Sequence, residues 1–600
     1  MKKLLLSILS ICLILPALSQ TDNRLKNIDA ELQKVLEATH APGFAVAVVE
    51  GDKIIYAKGF GYRDYENKIP VDTNTLFAIG SSSKAFTTAI LGKLRADNKL
   101  SFNDSPLDYI PDLKFYNDEM NNNIIIKDLM RHSTGLPRHD LSWYYFPTHS
   151  KDSLIKRVQY QEPFTGVRQQ WYYNNFMFLA QGVLAEKITG KSWEDNIKEM
   201  FFKPLGMTRS NSTIAEMKAA TNAAFGYELK KGDVISKMDY YDIAGMSPAG
   251  SINSSVNDMS KWLITWINKG KFNDKEIIPE NYITEAISSQ MVIDAALPDE
   301  ELPDMHFANY GYGWMLQSYR GHYRVEHGGN IDGFSASVAL YPTDKLGIVV
   351  LTNQNGSAAT GLVRNTIADR LLGGKTTDWV KRFLEAKEKN KKTQEESDAN
   401  PSSLKIENTK PSHTKIDYTG IYSNPGYGSL EINVENDSLF TTLNGTKQFV
   451  NHYHYDTFEL IDVIDNKVDT SQIGKAFKIT FNTNANGDIS GASFKAEPML
   501  DDLIFERTPN TIELSTEELN KYTGKYELQP GFILEITVAN GRIFAQATGQ
   551  GKNEIFAKKE DHFFFKVVEA QLVFSKDDNG NVNMLTLHQG GAKIPAKKIE

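Results

Sequence analysis

The chain has 600 residues, with 66 Lys and Arg against 75 Asp and Glu, a net charge of −9. That length predicts about two to four domains rather than one core, and the acidic balance argues against a nucleic-acid partner. The one cysteine, Cys12, sits in a segment expected to be removed, which excludes disulfides, Cys nucleophiles and thiolate metal sites from the mature chain.

Residues 1–19 carry Lys2 and Lys3, an apolar run Leu4 to Leu15, and Ala17-Leu-Ser19 before Gln20. This predicts a secretory signal, too short and wrongly flanked for a membrane span, and hence a periplasmic or secreted protein. Ile11 before Cys12 does not fit a lipid-anchor signal. No later run reaches 18 apolar residues, so no membrane span is expected in the mature chain.

Leu25 to Thr39 has helical spacing, and Phe44 to Val49 and Ile54 to Gly59 read as a hairpin around Glu50-Gly-Asp-Lys53. Phe77 to Gly80 is extended, and a helix follows with Ala85, Phe86, Ala89, Ile90 and Leu94 as its apolar positions. Ser81 opens that helix and Lys84 stands three residues on, sharing its face. A serine there meets unpaired backbone N–H groups that can hold an oxyanion, and a partly desolvated lysine can take its proton. Ser-x-x-Lys alone is a weak signal: roughly three chance occurrences are expected in a chain this long. It recurs at Ser153/Lys156 and Ser402/Lys405 without supporting chemistry.

From Leu94 to about Val325 the pattern is mostly helical. His132, in Arg131-His-Ser-Thr-Gly-Leu-Pro137, reads as a structural hydrogen-bonder at a turn. Strands return at Tyr323 to His327, Phe334 to Tyr341 and Leu346 to Thr352, and a helix Ala358 to Leu372 closes the unit. The expectation is an α+β domain over 20–383: one antiparallel sheet closed from both ends, flanking helices, an all-helical insertion, and a site in the crevice between them. Residues 384–416 read as linker, helical at most in their first part.

Beyond the linker, Tyr418-Thr-Gly-Ile-Tyr422 returns as Tyr522-Thr-Gly-Lys-Tyr526, and Leu430-Glu-Ile-Asn-Val434 as Leu534-Glu-Ile-Thr-Val538, both at an offset of 104. Gapless agreement predicts two copies of one antiparallel β-barrel-like fold, 417–509 and 510–600. His452-Tyr-His454 reads as an exposed aromatic strand rather than a metal site, since no third ligand is suitably spaced. No cofactor or metal is expected.

Two further stretches give Ser81 its context: Tyr173-Asn-Asn175 before an apolar helix Phe176 to Ile188, and His327-Gly-Gly-Asn330 on the strand that reopens the sheet. With Ser81-Ser-Ser-Lys84, in this order, the chain resembles the penicillin-recognising serine hydrolases. It is most similar to their class C β-lactamase-like branch, which includes carboxypeptidases, D-aminopeptidases and esterases. His132 to Pro137, Pro248 to Met259 and Tyr310-Gly-Tyr-Gly-Trp314 are supporting matches, and the resemblance covers roughly residues 25–380. It implies catalysis by Ser81, Lys84 and Tyr173, an oxyanion hole from the Ser81 and Asn330 N–H groups, and substrate contacts from Asn175, His327, Gly328 and Gly329. Whether Lys84 or Tyr173 takes the first proton stays open. His327 replaces the family's lysine in Lys-Thr-Gly, which disfavours carboxylate-bearing substrates. The expected function is an exported serine hydrolase forming a Ser81 acyl-enzyme with a small-molecule or short-peptide amide or ester: a D-amino-acid peptide, a β-lactam-like compound or a small ester. The alternative is a non-hydrolytic peptidoglycan- or small-ligand-binding or sensor protein that uses the same fold and the C-terminal barrels.

Overall fold

A computed structural model describes residues 22–230, 233–294, 302–374, 376–399 and 405–600. The secretory signal, Cys12 and Ser402 lie outside the described residues. The chain divides into two compact units: the first runs to Tyr109 and adds 125–132 and 177–392, and the second holds 110–124, 133–176 and 393–600. Compactness thus groups part of the region between Leu94 and Met177 with the C-terminal repeats. Among the described residues no helix is long and apolar enough to cross a membrane.

The first unit is built on a nine-stranded antiparallel sheet. Its strands are β1 (Gly43–Glu50), β2 (Lys53–Asp64), β3 (Ile69–Pro70), β4 (Met291–Asp294), β5 (Ala308–Tyr310), β6 (Met315–Tyr319), β7 (His322–Ile331), β8 (Phe334–Tyr341) and β9 (Leu346–Thr352). Their order is β4-β5-β6-β7-β8-β9-β1-β2-β3, so β1 pairs with β9 and the two ends of the unit close one sheet. The expected sheet is present and larger than the sequence indicated. β4, β5 and β6 fall in the region read as helical, because they are three to five residues long and too short to show a period of two.

Helices α1 (Ile28–Thr39) and α5 (Ala359–Leu371) cover one face of the sheet, with Leu32, Val35, Val363 and Ile367 packed on Phe44, Val46, Ile348 and Val350. On the other face α4 (Val256–Ile267) packs so closely that a Cβ on Gly347 would stand 3.2 Å from Leu263 Cβ. With both faces covered, β8 and β9 are buried along their whole length. Each fully buried Val, Ile or Leu contributes about 1.5–3 kcal/mol, more than the ~1 kcal/mol span of strand propensity, so burial decides these strands. α2 (Lys84–Ala96) is likewise buried from Lys84 to Gly92, on its polar positions as well as its apolar ones. The insertion is mainly helical, including α3 (Asn175–Thr189), but carries a hairpin of Gly226–Lys230 and Val234–Met238. The segment read as linker is helical for half its length, since α6 runs Trp379–Ala399.

In the second unit each repeat is a closed eight-stranded antiparallel barrel. The first runs from Gly420–Asn424 to Leu503–Thr508 and the second from Gly524–Gln529 to Ala592–Lys598. The 104-residue offset reappears in the register: Gly420 pairs with Ile432, and Gly524 with Ile536. Each barrel closes on a like cluster: Tyr418 packs on Phe458 and Phe481, and Tyr522 on Phe563 and Phe574. The Tyr422 hydroxyl donates to Tyr418 O at 2.7 Å, and the Tyr526 hydroxyl to Tyr522 O at 2.8 Å. His452 Nε2 lies 2.9 Å from Tyr455 O, and His454 Nδ1 accepts from Ile406 N at 3.2 Å, so both rings serve local hydrogen bonds.

Candidate active site

Three consecutive serines follow Gly80, and tertiary contacts give each a different task. Residues Gly80–Ser83 form a 3-10 turn, and the α-helix begins at Lys84, so Ser81 stands one turn ahead of α2 rather than within it. The Ser82 hydroxyl donates to His327 O at 3.0 Å and fastens β7. Ser83 Oγ accepts from Ile252 N at 3.1 Å and fastens the segment that follows the short helix Ser247–Gly250. Both are buried, whereas Ser81 is half-exposed.

Lys84 has no solvent exposure, and its Nζ lies 2.9 Å from Ser81 Oγ and 2.8 Å from Ala249 O. The Phe178 ring centre is 5.2 Å away. A neutral amine can donate to the Ala249 carbonyl while its lone pair faces Ser81; an ammonium donates to both. Ala249 belongs to the Pro248 to Met259 motif, but its backbone role has no side-chain signature.

β7 passes over this turn backbone to backbone. Gly80 has φ +49°, and a Cβ there would stand 2.8 Å from Asn330 N. A Cβ on Gly329 would stand 1.9 Å from Ile79 O and 3.1 Å from Ser81 N, so only glycine fits. Gly328 differs: a Cβ there would meet only Ala336 O, at 3.5 Å. The side of Gly329 where a Cβ would stand is thus filled by the Ile79–Ser81 backbone, whereas that of Gly328 is not. The Asn330 side chain is fixed, accepting from Ser335 Oγ at 2.9 Å and Gly356 N at 2.8 Å.

His327 is buried. Its Nδ1 lies 2.6 Å from Gly328 O, which can only accept, so Nδ1 carries the proton and Nε2 accepts from the Tyr310 hydroxyl at 3.0 Å. Burial, and then the charge of Lys84, push His327 down to about 4. The ring therefore stays neutral at physiological pH. Tyr310, part of the Tyr310 to Trp314 motif, is the partner that sequence reading did not single out. His132, buried with φ +58°, packs its ring 5.0 Å from Phe178 and 4.9 Å from Tyr310. Arg324, a candidate substitute cation on β7, is buried and paired with Glu326 at 3.1 Å.

Tyr173 and Asn175 belong to the second unit, on the segment 133–176, and Asn175 opens α3. Asn175 Nδ2 donates to Asp140 Oδ1 at 2.9 Å. The Arg138 guanidinium lies 4.7 Å from the Tyr173 ring centre, and its Nε donates to Asp140 Oδ2 at 2.6 Å. His139, between them in sequence, is also buried and is pushed down to about 4, chiefly by burial.

Two histidines held neutral make an acid-stability prediction. Between about pH 4 and 6.5 the unfolded chain binds protons that the folded chain refuses. Stability is therefore full above pH 6.5, falls as pH falls through that window, and levels off below it, by on the order of 3 kcal/mol per histidine. The urea midpoint should be lower at pH 5 than at pH 7.5, and His139→Asn should shrink the difference. An equal midpoint at both pH values would contradict the neutral-ring assignment.

This sheet with helices on both faces, followed by antiparallel barrels, defines a β-lactamase/penicillin-binding-protein-like α+β hydrolase fold. The Beta-lactamase family model matches residues 28–372, and the chain belongs to that family, whose members are hydrolases. A domain of unknown function, DUF3471, matches twice, at 404–507 and 508–597. The chain is 29% identical over 452 residues to an unguisins hydrolase of Aspergillus campestris, covering 69% of this chain and 79% of that protein. It is 26% identical over 352 residues to Protein flp of Staphylococcus aureus, covering 58% of this chain and 66% of that protein. The octameric penicillin-binding protein homologue from Pyrococcus abyssi shares the fold, with a TM-score of 0.54 and 19% identity over 80% of this chain and 100% of that one.

Proposed function

We propose that the protein is an exported serine hydrolase that forms an acyl-enzyme on Ser81. The observation that carries this reading is a fully buried Lys84 whose amine lies 2.9 Å from the hydroxyl of half-buried Ser81. In acylation the Ser81 Oγ–H bond breaks, the proton passes to the base, and Oγ bonds to the substrate carbonyl carbon. The carbonyl oxygen gains the electron pair and is held by the N–H groups of Ser81 and Asn330. The tetrahedral adduct collapses, the carbon–leaving-group bond breaks, and the base returns its proton to the departing amine or alcohol. Water then repeats the sequence on the acyl-enzyme and releases the acid. Lys84 and Tyr173 share the proton in this scheme, Tyr173 and Asn175 being assigned by the family's motif order. A fluorophosphonate probe tests the reading: Ser81 should be the labelled residue, and a folded chain that does not label would sink it.

Substrate preference follows from His327. A carboxylate beside the scissile bond gains about 1–3 kcal/mol from a fixed cation, and a buried neutral imidazole supplies none. Uncharged esters and amides, including D-aminoacyl amides, should therefore be turned over at least ~10-fold more efficiently than a cephalosporin. His327→Lys should move that ratio toward the carboxylate substrate. A wild type that hydrolyses a cephalosporin as well as its best ester, with no dependence on His327, would refute this account.

The second reading is a ligand-binding or sensor protein. A cavity of about 890 Å³ between the two barrels, lined by Asp488, Arg507, Lys558, Phe564 and Glu569, favours it. It gains ground if Ser81 stays unlabelled while a peptidoglycan fragment binds.

A further inference from the structure

Within the second unit, residues 137–140 divide between two sets of partners. Asn174 Nδ2 donates to Pro137 O at 2.6 Å, Arg138 lies over Tyr173, and Asp140 accepts from Asn175. The residue in the middle turns to the first barrel instead. His139 N donates to Glu497 Oε1 at 2.5 Å, and His139 Nδ1 lies 2.7 Å from the Tyr427 hydroxyl. His139 Nε2 is 2.9 Å from Glu162 O, an acceptor, so Nε2 carries the proton and Nδ1 accepts from Tyr427. His139 sits at φ +48°, a conformation that a bulky residue keeps only when its surroundings hold it.

The same segment is seated further on. Phe146 is part of the first barrel's buried core, 5.7 Å from Phe505 ring to ring, and the Ser142 hydroxyl donates to Gly426 O at 2.7 Å. The barrel thus supplies both an apolar socket and a polar grip, one peptide away from the groups that hold Tyr173 and Asn175.

We propose that the first C-terminal barrel is a positioning element for the Tyr173–Asn175 segment, acting through Glu497 and Tyr427 on His139. Its kinetic consequence rests on the hydrolase reading above. Glu497 is a positioning residue: it accepts the His139 N–H, which fixes the backbone turn from which Arg138 and Asp140 reach back to the motif. An apolar socket alone would leave that turn free to relax toward negative φ, and the motif side chains would lose their register.

Hydrogen exchange and Ser81 labelling kinetics on the full chain test this. In Glu497→Ala, peptides covering 137–146 and 170–176 should exchange at least ~10-fold faster, while peptides of α2 and the second barrel stay unchanged. Labelling should slow about 10- to 100-fold. Glu497→Gln keeps an acceptor oxygen and should restore both. In a Tyr173→Phe background, Glu497→Ala should add less than its loss in the wild type, because only the positioning of Asn175 is then left to lose. Tyr427→Phe, which removes only the hydroxyl, should show the same exchange signature and covers the case in which Glu497→Ala does not fold. Unchanged exchange at 137–146 overturns the proposal, as do an equal loss in Glu497→Gln and losses that multiply with Tyr173→Phe. If the wild type neither labels nor turns over any ester or amide, the hydrolase reading fails, and exchange alone decides the positioning.

Discussion

Ser81→Ala is expected to abolish fluorophosphonate labelling and to lower ester or amide turnover by about 10³-fold or more, with the fold intact. The size follows from chemistry: without Oγ no acyl bond can form, and only binding and oxyanion stabilisation remain. The structural cost is small, because Lys84 keeps its hydrogen bond to Ala249 O and loses only the one to Ser81, a net contribution of about 0.5–1.5 kcal/mol. Neighbouring serines supply the contrast. Ser83→Ala deprives the Ile252 N–H of its acceptor and should cost stability while Ser81 still labels. Ser153→Ala and Ser402→Ala, at two other Ser-x-x-Lys occurrences, should change nothing. Full activity in Ser81→Ala would remove the assignment.

The second large effect concerns the base. Lys84→Met and Tyr173→Phe should each cost on the order of 10³ in the acylation rate, and the double variant little more than the worse single one. Two groups that share one proton fail together, so their losses do not multiply. Lys84→Met keeps most of the buried volume, which limits the packing defect, and its cost through the lost donor to Ala249 O is read separately as a change in stability. Measured acylation rates in the four proteins decide it: multiplied losses mean independent roles, and a single variant within tenfold of wild type is not part of the base.

Much of the fold could be read along the chain because its signals are local. Phe44 to Val49 and Ile348 to Leu351 are continuous apolar runs, which sheet strands covered on both faces produce. The 104-residue repeat announced two like barrels, and the closure of each is visible in strand pairings that sequence could not show. β4, β5 and β6 were missed because strands of three to five residues carry too little period to be told from loop or helix.

The sequence by itself determined the pairing of Ser81 with Lys84, since residues three apart on a helical turn must share a face whatever surrounds them. It determined equally the order of motifs that places the chain in its family. Tertiary structure alone decided which of three adjacent serines is left half-exposed, that Gly329 is needed for packing where Gly328 is not, and that His327 is neutral. It also joined His139 to Glu497, 358 residues apart. The reason is the range of the forces involved: helical spacing acts within a turn, whereas desolvation, charge and close backbone approach depend on groups that only folding brings together.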